Sequence, residues 1–91
     1  MNTKFTGAFD KDVNKISDAK LLVKIELTIE FVEDARSLRA IPGLKKLKGY
    51  RIHYRIRIGD YRIGITIIGD TVTFERCLIR NEFYWHYPPK N

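Results

Sequence analysis

The segment Tyr50-Arg51-Ile52-His53-Tyr54-Arg55-Ile56-Arg57-Ile58 constrains the fold more than any other part of the chain. Its even positions are Tyr, Ile, Tyr, Ile and Ile, and its odd positions are Arg, His, Arg and Arg. Successive strand side chains point to opposite faces, so this is a strand with an apolar face and a cationic face. Gly59-Asp60 follows as a two-residue turn with Gly at its first central position, as a type II′ hairpin prefers. Closing the chain there sets Ile58 against Tyr61, Arg57 against Arg62, Ile56 against Ile63 and Arg55 against Gly64. Apolar residues then meet apolar partners, but Arg57 and Arg62 meet as like charges, which is destabilising. A small domain has little stability to spare, so the arginine pair reads as built for an anion.

The surrounding charge supports that reading. Of the net +6, residues 1–44 contribute nothing, with seven Lys/Arg against seven Asp/Glu. Residues 45–91 hold ten Lys/Arg and four Asp/Glu. Lys45, Lys46, Lys48, Arg51, Arg55, Arg57 and Arg62 crowd one stretch with only Asp60 against them. A one-sided basic patch is the footprint of nucleic-acid binding, and also suits an acidic protein partner. With 44% hydrophobic residues the chain can bury a core and is not broadly disordered. No run is long enough to span a membrane and no signal-peptide pattern opens the chain, so a cytoplasmic location is expected. The single Cys77 cannot pair within the chain, no Cys/His cluster suggests zinc, and no cofactor is implied.

Periodicity predicts the remaining elements. Asn2–Thr6 suits a short strand. Phe9, Val13 and Ile16 recur at helical spacing, with Asp10 and Asp12 near the helix start. Ser17-Asp18 breaks that helix and caps a second, expected from Ala19 to about Leu38. Leu21, Leu22, Ile25, Ile29 and Val32 form its apolar stripe, with Phe31 and Ala35 as further candidates for it, although β-branched content leaves a strand over 23–31 as the alternative. Ile41-Pro42-Gly43 closes the helical half. Three strands follow over about 50–58, 61–68 and 71–78, with a second turn at Gly69-Asp70. Arg76 shares the parity of the apolar Val72, Phe74 and Leu78, so either a bulge resets the alternation or Arg76 has an acidic partner. The tail is aromatic, and Phe83, Trp85 and Tyr87 are assigned mainly to packing. The expectation is one α+β domain over 1–91, with two N-terminal helices on one face of a small antiparallel sheet. The opposite, basic face needs no cover.

Two stretches resemble the RelE/ParE superfamily of toxin–antitoxin toxins, on the RelE side. They are Leu47-Lys48-Gly49-Tyr50 with Tyr54 to Ile63, and Arg80-Asn81-Glu82-Phe83-Tyr84. The first resembles the family's basic strand, hairpin and second-strand arginine, and the second its C-terminal arginine-to-tyrosine motif. The resemblance implies a toxin that cleaves messenger RNA on the ribosome without metal, neutralised by a cognate acidic antitoxin in a complex of higher oligomeric state. It implies catalytic roles for Arg57, Arg62, Arg80 and Tyr84. Lys46, Lys48, Arg51 and Arg55 are expected to bind the RNA backbone. Ile79 departs from the histidine that many relatives carry before this arginine, and Asn81 replaces a commonly basic position.

The chemistry required is deprotonation of a 2′-hydroxyl, stabilisation of a phosphorane and protonation of the leaving 5′-oxygen. Guanidinium groups suit the second task and are poor proton shuttles. Proton transfer would therefore fall to Tyr84, or less strongly to His53 or His86. Tyr84 is otherwise a core aromatic or a stacking platform for an unpaired base. Two rival readings are a ParE-like inhibitor of DNA gyrase and a nucleic-acid-binding protein without catalysis.

Overall fold

The computed structural model describes residues 1–89. Strand β1 (Asn2–Phe5) leads into helix α1 (Gly7–Asn14), whose N-cap Thr6 accepts the Phe9 N–H through Oγ1 at 3.1 Å. Helix α2 (Ala19–Asp34) starts where Asp18 accepts the N–H groups of Lys20 and Leu21. It ends four residues before the expected Leu38, because Ala35 turns into extended backbone and is buried. A single 3-10 turn, Leu38–Ala40, follows. The β-branched residues 23–31 are helical, because burial of Ile25 and Val32 outweighs their weak intrinsic preference.

Strands β2 (Leu44–Lys46), β3 (His53–Ile58), β4 (Tyr61–Ile68) and β5 (Thr71–Ile79) complete a five-stranded sheet of order β1-β5-β4-β3-β2. The β3–β4 register is the expected one, from Ile58↔Tyr61 through Arg55↔Gly64. Three features differ from expectation. β3 begins at His53 rather than Tyr50, because residues 47–50 form a turn in which the Tyr50 N–H donates to the Leu47 carbonyl at 3.1 Å. β2, for which the sequence predicted no element, pairs antiparallel with β3. β1 runs parallel to β5, so the sheet is mixed.

Both resolutions of the Arg76 misfit are present. A bulge shifts the β4–β5 register between Gly64↔Arg76 and Ile65↔Phe74. The alternation is reset, and Cys77 rather than Leu78 joins Val72 and Phe74 in the core. Arg76 forms a two-pronged ion pair with Asp12 of α1, Nε to Oδ2 at 2.8 Å and Nη2 to Oδ1 at 3.2 Å. Asp12 Oδ2 also accepts the Cys77 N–H at 2.9 Å. Asp12 is therefore a buried structural anion rather than a surface acid at a helix start.

The core gathers Phe9 from α1, Ile25 and Val32 from α2, and Ile56, Ile58, Ile63, Ile65, Val72 and Phe74 from the sheet. Burial, with a smaller contribution from the Asp12 charge, pushes the Cys77 thiol up to about 12. The folded state then holds this proton where an unfolded thiol, ordinarily near 8.5, would release it. Its contribution to stability is complete below about pH 8.5 and is lost as pH rises towards 12. Cys77 should resist a thiol reagent such as iodoacetamide at pH 8 and label rapidly in denaturant; labelling at equal rates in both conditions would refute its burial.

A third helix, α3 (Arg80–His86), packs on the sheet face opposite α1 and α2. That face was expected to need no cover. Phe83 and Tyr87 recur at i, i+4 and are both buried. The Tyr87 hydroxyl donates to the Ile65 carbonyl at 2.8 Å, and its ring lies over Gly64. A Cβ at Gly64 would stand 2.7 Å from that ring, so glycine is there for an aromatic side chain of the protein itself.

Candidate active site

The β3–β4 hairpin and the start of α3 bring three arginines to one end of the sheet. Arg57 and Arg62 are directly opposite each other. Ile79 pairs with Tyr61, so Arg80 emerges beside the same turn. The Arg80 N–H donates to the Asp60 carbonyl at 2.7 Å, which ties the first residue of α3 to the hairpin. Tyr84 follows Arg80 by one helical turn and so projects from the same side of α3.

The three arginines have different surroundings. Arg57 and Arg80 are exposed. Arg62 is only 7% exposed, and its Nη1 donates to the carbonyls of Gly59 at 2.8 Å and Tyr61 at 2.9 Å. The hairpin turn thus holds one prong of the Arg62 guanidinium, and its carbonyl dipoles offset part of the repulsion from Arg57. A guanidinium fixed in this way is a preorganised donor set for a phosphate oxygen, while Arg57 and Arg80 are exposed cations at the same end of the sheet.

Tyr84 is half exposed and meets Phe83 edge to face at 5.0 Å, so it is not a core aromatic. Trp85, assigned to packing from sequence, is 75% exposed. The signal that separates it from Phe83 and Tyr87 is phase: it falls roughly 200° around the helix from Phe83, at about 100° per residue. Phe83 and Tyr87 are packing residues as expected.

The other sequence-selected residues spread away from this cluster. Arg55 shares the face of Arg57 and is partly buried, with Nη1 donating to the Gly43 carbonyl. Lys45 lies opposite Arg55, whereas Lys46 lies opposite Tyr54 and so belongs to the side covered by α1 and α2. Lys48 and Arg51 are exposed in the turn between β2 and β3. His53 stands four residues before Arg57 on β3, roughly 13 Å along the strand at about 3.3 Å per residue. Its ring lies between Tyr50 and Tyr87, at 5.2 and 5.7 Å, with Nδ1 buried and without a hydrogen-bond partner. His53 is therefore neither a solvated strand histidine nor a neighbour of the arginine pair. His86 is exposed in the last turn of α3. Ile79 is exposed at the end of β5.

Comparison with known proteins shows the family of the chain. No family model matches the chain. Toxin RelE3 of Methanocaldococcus jannaschii is 39% identical over 89 residues, spanning 97% of this chain and all of the relative. The RelB–RelE antitoxin–toxin complex of Methanococcus jannaschii contains a chain of 39% identity that superposes with a TM-score of 0.80, over 93% of this chain and 99% of that one. The archaeal RelE–RelB complex of Pyrococcus horikoshii shares the fold at 17% identity, with a TM-score of 0.72 over 90% of this chain and 97% of that one. With a five-stranded α+β fold and a relative this similar over its whole length, the chain belongs to the RelE family of toxins. Among the described residues no helix is long and apolar enough to cross a membrane.

Proposed function

We propose that this protein is the toxin of a toxin–antitoxin pair, a cytoplasmic endoribonuclease that cuts messenger RNA on the ribosome without a metal. One observation carries the reading: Arg57, Arg62 and Arg80 converge at one end of the sheet, with Tyr84 a single helical turn from Arg80. Such a cluster has the charge to hold the scissile phosphate and to stabilise the phosphorane as it forms. In this reading Arg62 is the fixed donor, and Arg57 and Arg80 grip the remaining oxygens. Tyr84 stands where a side chain can accept the 2′-hydroxyl proton or stack on the adjacent base. Lys48 and Arg51 steer the RNA backbone, and Arg55 and Lys46 contribute less, Arg55 through its bond to Gly43 and Lys46 through its placement on the other side. RelE toxins crystallised with RelB antitoxins support a cognate antitoxin as partner. A chain of net +6 favours an acidic one.

Two substitutions separate the candidate proton-transfer groups. Tyr84→Phe should reduce cleavage by about 10²-fold or more, the usual scale for a general acid or base. His53→Ala should stay within about threefold of wild type, since its ring is roughly 13 Å along the strand from Arg57. The check is induction of each variant in a bacterial host, with primer extension mapping new messenger RNA ends. New cuts within translated frames that disappear in Tyr84→Phe support the reading. Growth arrest by the wild type without new ends would instead point to gyrase inhibition.

A further inference from the structure

Trp85 is the most exposed large apolar residue among those described, at 75%. Tryptophan is strongly buried on average, because its ring carries a large apolar area. Packing does not account for it here. Helix α3 closes on the sheet through Phe83 and Tyr87. At about 100° per residue, Trp85 points opposite the mean direction of that pair. Its indole therefore stands in water without serving the core.

The neighbours of Trp85 limit what it can meet. Asn81 and Glu82 stand one turn earlier, at i−4 and i−3, and His86 follows it; all three are exposed and polar. The exposed apolar line Val23, Leu27 and Phe31 belongs to α2, on the other side of the sheet. A protein-docking patch is a contiguous apolar area inside a polar rim. A single flat ring among polar groups and close to cations has instead the form of a stacking platform for an unpaired base. The cations are at hand. Arg80 stands five residues earlier on α3, about 7.5 Å along the helix axis at 1.5 Å per residue. Its N–H is tied to the hairpin that carries Arg57 and Arg62. Tyr84 projects about 100° around the helix from Trp85, so the two rings cannot sandwich one base.

We propose that Trp85 is a second nucleobase platform, stacking on an unpaired base next to the RNA held by the arginine cluster. The proposal rests on the RNA-cleavage reading above. It divides the work of α3: Arg80 and Tyr84 act at the phosphate, and Trp85 holds a nearby nucleotide and so sets how tightly the RNA is held. The base belongs either to the message or to ribosomal RNA at the site, since both present the same π face. Any preference that Trp85 adds follows stacking strength rather than hydrogen-bond identity.

The test has two arms. Trp85 is the only tryptophan in the chain, so its emission in the full-length protein reports on this ring alone. Titration with a single-stranded 2′-O-methyl oligoribonucleotide, which cannot be cut, should quench that emission, and an oligomer of abasic nucleotides should not. In steady-state cleavage of message programmed into ribosomes, Trp85→Ala should raise KM by about 10- to 100-fold, the scale of one base–aromatic stack, with kcat within about threefold. Trp85→Phe should recover most of that loss and Trp85→Leu none of it, because stacking needs a flat π face. All three variants should melt with the wild type. Abasic nucleotides flanking the cut in the message then locate the base. If they erase the KM difference between wild type and Trp85→Ala, the stacked base is the message's; if the difference persists, it is the ribosome's. Emission unchanged by the oligomer, with KM for Trp85→Ala within twofold of wild type, would overturn the platform and leave the nuclease reading intact. A wild-type KM for Trp85→Leu would assign the indole to an apolar protein contact and overturn the platform equally. Quenching by the oligomer in a protein that cuts no message would overturn the cleavage reading and keep Trp85 as an RNA-binding residue.

Discussion

Asp12→Ala should lower the stability of the protein by about 2–4 kcal/mol, enough to drop its melting temperature by roughly 10–20 °C for a domain of this size. The cost comes from two groups left behind. Strand β1 pairs with β5 only as far as Phe74, so beyond that point the β5 edge has no strand beside it. The Asp12 carboxylate accepts the Cys77 N–H there, at 2.9 Å. Removing it strands a buried backbone donor, worth about 1–3 kcal/mol. It also leaves the half-buried Arg76 guanidinium without its partner. Hydrogen bonding to Asp12 is the main cause that raises the Arg76 pKa, against the opposing effect of burial. Asp12→Asn keeps an acceptor for Cys77 and loses the charge, so it should fall between wild type and Asp12→Ala. Arg76→Ala leaves Asp12 buried with the Cys77 contact intact and should cost less than Asp12→Ala. Thermal unfolding followed by circular dichroism measures all three. A loss below about 0.5 kcal/mol for Asp12→Ala would put Asp12 in the class of ordinary surface residues and contradict its structural role.

Arg57→Ala should do the reverse: abolish activity and leave stability unchanged or slightly higher. Arg57 is exposed and stands opposite Arg62, so its removal relieves a like-charge contact. Its loss should lower cleavage of ribosome-bound messenger RNA by about 10²–10³-fold, the scale of one transition-state donor. Arg62→Ala is the less informative variant. The Arg62 guanidinium also holds the Gly59 and Tyr61 carbonyls of the hairpin, so lost activity there mixes chemistry with a loosened turn. An Arg57→Ala protein with wild-type cleavage would remove Arg57 from the site. One that is inactive because it melts well below wild type would show that the arginine pair is structural. A gain in stability with a loss of function would instead be the trade expected where like charges are held together for an anion.

The hairpin was legible in the sequence for a physical reason. Strict alternation over residues 50–58 and a Gly-Asp turn leave one register in which apolar residues meet, and a slip of one residue would invert every face. The α2 boundary at Asp18 was legible because a capping residue announces itself. β2 was not, since Leu44-Lys45-Lys46 is too short to show a period and is ordered by its partner β3. The parallel pairing of β1 with β5 spans most of the chain, and local pattern carries no trace of it. Helix α3 was hidden by an aromatic run that suits strand or helix equally, although the four-residue spacing of Phe83 and Tyr87 held the clue. Within the candidate site, strand order foretold that Arg57 and Arg62 would face each other. It could not foretell that hairpin carbonyls would bury Arg62, or that Tyr87 would occupy the space over Gly64. Those outcomes depend on groups that meet only once the chain is folded.

In the proposed function the arginine cluster at the hairpin and α3 cuts messenger RNA presented by a ribosome. The most direct measurement incubates the purified protein with a defined messenger RNA, either free or programmed into ribosomes, and analyses the fragment ends. Cuts are expected only in the ribosome-bound RNA. The upstream fragment should end in a 2′,3′-cyclic phosphate, as attack by the 2′-hydroxyl requires, and the reaction should be lost in Arg57→Ala. Intact messenger RNA on the ribosome, from a protein that nonetheless arrests growth and blocks DNA supercoiling by gyrase, would contradict it.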